Sequence, residues 1–128
     1  MANPTAHAMI SGVSYTTPVV VPAGGDYTTA PASTLDVQIA EYLNLVVTTT
    51  GETGADVSDI VVYVETMGKT GKWNTGLPIA VYIPVKGDVA TVSSVVMNVM
   101  SAQEVRIGRI SNPNAGDVTV QIEGDCKG

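Results

Sequence analysis

The chain has no phenylalanine and only one tryptophan (Trp73), one histidine (His7) and one cysteine (Cys126) in 128 residues. One cysteine closes no disulfide within the chain, so the fold is not a small stapled secreted scaffold. His7 and Cys126 lie at opposite ends, and a Ser-His-Asp or Cys-His pair needs its histidine held rigidly beside a nucleophile. No zinc constellation is visible among the Cys, His and carboxylate residues. Basic residues are scarce too: six Lys and Arg stand against 12 Asp and Glu, a net charge of −6. That balance speaks against neutralising nucleic-acid phosphates or docking on an anionic membrane. No run approaches the ~20 apolar residues of a membrane-spanning helix. The start, Met1 to Thr5, lacks a basic region followed by an apolar stretch, so synthesis in a cytosol without a cleaved export signal is expected.

What is abundant is valine, isoleucine, threonine and alanine. Residues branched at Cβ are stiff at χ1 and suit a pleated sheet better than a helix. Apolar residues make up 45% of the chain, enough for one domain of this length to hold a core. Leu35, Val37 and Ile39 alternate with polar or small neighbours, as do Val118, Val120 and Ile122, a period of two. Between these lie the apolar runs Leu43 to Val47, Ile60 to Val64, Ile79 to Val85 and Val89 to Met100, then Gln103 to Ile110. Clusters of Gly, Asn, Asp and Pro separate them: the 51–56 loop, a hairpin tip at 68–72, a turn at 86–88 and a strong turn at 111–117. A helix could fit only over 93–103, and the β-branched residues there favour a strand. The expected fold is all-β, an antiparallel β-sandwich of jelly-roll or immunoglobulin-like type with about seven to eight strands.

The first 33 residues differ. They carry four of the seven prolines and a single charge, Asp26. Residues 1–33 are expected to be an extended N-terminal arm, and 34–128 the sandwich. Proline flanks Val19-Val20-Val21 at Pro18 and Pro22, which marks an edge strand.

Few residues suggest chemistry. Glu52, Asp56 and Asp59 share a loop that could hold calcium, yet lack the order of a dedicated calcium loop, so a solvated acidic loop is expected. Gly68 to Lys72 lacks the spacing of a phosphate loop. Trp73 is expected to plug one end of the sandwich, with an interface contact as the other reading. Arg106 and Arg109, three apart on a strand, are expected to point to opposite faces, one as an interface anchor and one solvated.

The second half also carries a resemblance. Val62-Tyr63-Val64-Glu65-Thr66 leads into a Gly-rich tip and then Trp73-Asn74-Thr75. Later come Glu104 to Ile110, a Gly/Asn turn and Asp117 to Ile122. Over roughly residues 57–124 this order resembles the β-sandwich domains of tailed-phage virion proteins, found in capsid decoration proteins, head fibres and tail accessories. The resemblance implies a non-enzymatic structural protein without cofactors, located in the virion and made in the host cytoplasm. Its partners would be the major capsid protein or other virion subunits, and self-association would give a homo-oligomer such as a trimer, with no nucleic acid or membrane bound. A carbohydrate-binding or adhesion module is the alternative. An extended arm suits strand addition to a neighbour. The expected partner-binding residues are Tyr15, Val19, Val20, Val21 and Tyr27 near the N-terminus, with Trp73 and Arg106 in the domain.

Overall fold

The computed structural model describes residues 18–27, 35–37, 41–54, 58–99 and 102–127. These residues form nine β-strands and no helix: β1 (Val19–Val21), β2 (Asp26–Tyr27), β3 (Leu35–Asp36), β4 (Tyr42–Thr50), β5 (Ile60–Met67), β6 (Ile79–Ile83), β7 (Thr91–Asn98), β8 (Glu104–Ser111) and β9 (Val118–Lys127). They make two antiparallel sheets. One has the order β1-β9-β4-β7; the other has β2-β8-β5-β6, with β3 pairing β8 as well.

The pairings are nested. β5 pairs with β6, β4 with β7, β2 and β3 with β8, and β1 with β9, so the chain behaves as one long hairpin whose tip is the β5–β6 turn. Rolling that ribbon adds the β4–β9 and β5–β8 ladders and splits the strands between two sheets. Two Greek keys folded in this way are a jelly roll. β2 and β3 lie one after the other along the same edge of β8, opposite Ile110–Ser111 and Glu104–Val105, so they act as a single interrupted strand.

Alternation builds the core. Leu43, Leu45 and Val47 of β4 and Val118, Val120 and Ile122 of β9 face Ile60, Val62 and Val64 of β5 and Val105, Ile107 and Ile110 of β8, all buried. Full burial of each such side chain contributes about 1.5–3 kcal/mol. Among the described residues no aromatic ring is fully buried; Tyr27 packs at the margin. Thr49 is the polar exception on β4, and its hydroxyl donates to the Pro84 carbonyl at 2.8 Å.

β1 occupies a sheet edge, as its flanking prolines require. It is also part of the core, because Val21 is fully buried and Val19 packs against the buried cluster. The 111–117 turn carries more than a change of direction. Asn112, which is buried, donates from Nδ2 to the carbonyls of Val21 (3.1 Å), Pro22 (3.3 Å) and Gly116 (2.9 Å). Its Oδ1 accepts from the backbone and side chain of Asn114. The Asn114 side chain then pairs both backbone groups of Ser58 at 2.9 Å. Two asparagines thus tie β1, the β8–β9 turn and the start of β5 together.

Candidate functional site

The outer face of the five-stranded sheet gathers the side chains with binding chemistry. Its geometry starts at the hairpin tip. Gly71, at φ 77°, lets the chain reverse, and its N–H donates to the Gly68 carbonyl at 3.0 Å. Met67 then bridges Trp73. Asn74 fixes the join: its Oδ1 accepts from Thr66 N at 2.7 Å, and its own N–H donates to the Thr66 carbonyl at 3.0 Å. Trp73 is thereby held on the outside of the sheet beside β5.

Arg106 faces Glu65 across the β5–β8 ladder, and its Nε donates to Glu65 Oε1 at 2.6 Å. Both side chains are mostly covered, at 16% and 14% exposure. The Arg106 guanidinium also lies over the Trp73 ring, 4.1 Å from its centroid. A charge-assisted bond and a cation–π contact together fix the arginine fork in one pose. The expected plug at one end of the sandwich is therefore corrected: Trp73 lies outside the buried core cluster, half-covered beneath Arg106.

The expectation for Arg109 is corrected as well. The β5–β8 register shifts between Tyr63 and Val64: Tyr63 faces Arg109, Val64 faces Ile107, and Gly108 is the extra residue. A β-bulge of this kind breaks the period of two. Val105, Ile107 and Ile110 point inward, whereas Arg106 and Arg109 share the outer face. Arg109 lies over the Tyr63 ring, 4.2 Å from its centroid, and approaches Asp26 at 3.7 Å. That ion pair is half-exposed on both sides and contributes little. At the bulge, a Cβ on Gly108 would meet Glu65 Oε2 at 2.5 Å and Cδ at 2.6 Å. Glycine stands there because the Glu65 side chain crosses its Cα.

Beside the Arg109–Tyr63 pair is a groove of about 400 Å³, lined by these two residues with Glu65, Thr75, Gly76, Pro78 and Gly108. Tyr82, on β6 opposite Val61, is 65% exposed. Aromatic and arginine side chains on a rigid sheet, with one guanidinium half-open, suit recognition of a partner surface or of a polar ligand with acceptor groups.

Sequence reasoning singled out Trp73 and Arg106, which the structure brings together, and missed Glu65, Tyr63 and Gly108. The remaining candidates lie elsewhere. Val20 is exposed on β1 at 54%, Val21 has no exposed surface to offer a partner, and Val19 and Tyr27 are half-covered against the core. Tyr15 lies outside the described residues, as do His7 and Asp56. Glu52 and Asp59 are exposed, and no group of three or more metal-ligating side chains gathers among the described residues.

No protein-family model and no curated protein sequence matches the chain. Solved structures share its fold at low identity. The infectious bursal disease virus VP2 subviral particle is similar with a TM-score of 0.54 at 8% identity, over 93% of this chain and 31% of that one. Tripeptidyl peptidase 2 is similar at 0.55 and 12% identity, over 84% of this chain and 8% of that one. The enzymatically active domain of bacteriophage CBA120 tailspike protein 4 is similar at 0.50 and 12% identity, over 91% and 21%. The chain thus spans less than a third of each of these proteins. Its structural neighbours include viral capsid and phage proteins as well as enzymes.

Proposed function

We propose that this chain is a non-enzymatic structural protein of a phage virion, a decoration or cement protein that binds the lattice of the major capsid protein and stabilises the shell. The observation that carries the reading is the outer face of β5 and β8, where Arg106 is locked between Glu65 and Trp73 and Arg109 rests on Tyr63. Interfaces are enriched in these residue types, and tryptophan, tyrosine and arginine supply most hot spots. Because the side chains are already fixed, association costs little further ordering. Many copies on a repeating lattice let a modest contact add up to a large effect on the shell. The resemblance of residues 57–124 to phage virion sandwiches, and a fold shared with a virus subviral particle, support the same role.

The test is cosedimentation of the purified protein with empty shells assembled from the major capsid protein of the same genome, together with the melting temperature of the shells. Binding at one fixed stoichiometry per capsomer, with raised shell melting, is the expected result. Absence of binding to those shells would overturn the reading.

The groove beside Arg109 favours a second reading, a carbohydrate-binding or adhesion module, because it pairs aromatic and arginine side chains with the Thr75 hydroxyl. A glycan-array signal that depends on Arg109, without shell binding, would select that reading instead.

A further inference from the structure

From the free edge of β7 we infer that the protein self-associates as a two-fold symmetric dimer, two copies pairing antiparallel through this strand. Three observations lead there.

The first is that, among the described residues, β7 ends its sheet without protection. It pairs with β4 in an unbroken register, and no strand among the described residues pairs its other side. Natural edge strands carry lysine, proline, a bulge or great shortness to prevent such pairing. β7 has none of these. Its eight residues, Thr91 to Asn98, include no charge and no proline, in a chain of net charge −6.

The second is the phase of its backbone. Val99 N–H donates to the Glu41 carbonyl at 2.9 Å, so the odd-numbered residues of β7 turn their backbone groups toward β4. Val92, Ser94 and Val96 therefore turn theirs to the open edge. Their side chains are also exposed, the two valines at 66% each. Val89, just before the strand, is 62% exposed as well.

The third is self-complementarity. With a two-fold axis at Ser94, residue 92 faces 96 of the second copy, 94 faces 94, and 96 faces 92. All three are pairs whose backbone groups point into the junction. They exchange two hydrogen bonds each, about six in all, within the range of ordinary interfaces. The same register sets valine against valine and serine against serine on the outer face, the pairings that stabilise sheets. Shifting the axis by one residue along the strand would set Val96 against Ser94 and lose the match. The product is a continuous sheet of two four-stranded halves, closed by the two-fold axis.

The test uses the full chain in sedimentation and light scattering across a wide concentration range. Wild type is expected to shift from 13.2 kDa toward twice that mass. Ser94→Lys sets two ammonium groups together at the axis and is expected to leave a monomer with unchanged circular dichroism. Ser94→Glu acts alike. Mixing the two variants restores the dimer, which no effect on folding would do. In a Cys126→Ser background, Ser94→Cys is expected to give a disulfide-linked dimer on oxidation. A wild type that stays monomeric overturns the proposal. So does a Ser94→Lys protein that keeps the oligomer, or a Lys/Glu mixture that fails to associate.

Discussion

Replacing Gly108 by alanine tests how the arginine–aromatic face is held together. The new Cβ would lie 2.5 Å from Glu65 Oε2, 2.6 Å from Cδ and 3.0 Å from Cγ, so the glutamate side chain has to leave. Moving it breaks the 2.6 Å bond to Arg106, a pair that is 14% and 16% exposed. A hydrogen bond to a charged group of this kind contributes about 1.5–3 kcal/mol. Gly108 has no positive φ, so alanine fits the backbone and offsets about 0.4–1 kcal/mol through the unfolded state. The net expectation is a loss of about 1–2 kcal/mol, a fall in melting temperature of about 4–8 °C for a domain of this size. The sign should reverse in a Glu65→Ala background: nothing then occupies the space, and Gly108→Ala stabilises by about 0.4–1 kcal/mol. Thermal and urea unfolding of the four proteins, with unchanged m-values, measures both effects. Equal destabilisation of the two backgrounds by Gly108→Ala would refute the reasoning.

Other expectations follow from single contacts. Asn112→Ala removes a buried side chain that donates to three carbonyls and accepts from Asn114; a loss of about 3 kcal/mol or more is expected in urea unfolding. Thr49→Val leaves the Pro84 carbonyl without its 2.8 Å donor, and should cost about 1–3 kcal/mol in the same assay. Arg109→Ala removes a half-exposed guanidinium and a weak ion pair, so it should change stability by less than about 1 kcal/mol while lowering shell affinity about tenfold or more.

The sheets were legible in the sequence because buried strands leave a periodic trace. Val118, Val120 and Ile122 alternate and face the core; Val19 to Val21, between prolines, forms a sheet edge. The outer face was less legible for a specific reason. Reading Arg106 and Arg109 as opposite in facing assumed an unbroken period of two, and a bulge needs only one extra residue to cancel it. Gly108 between the arginines was the available signal, since an isolated glycine inside a strand pattern suggests a bulge or a close approach. Here it is both. Asn112 and Asn114 read as turn formers; that their side chains bond β1 and Ser58 depends on segments distant in sequence, which no local pattern reveals.

The central claim is that the outer face of β5 and β8 meets a capsid lattice. Cryo-electron microscopy of shells saturated with the protein tests it most directly. The account predicts Trp73, Arg106, Arg109 and Tyr63 buried against the capsid subunits, with the groove at the junction. A decorated shell in which that face looks out to solvent would contradict it.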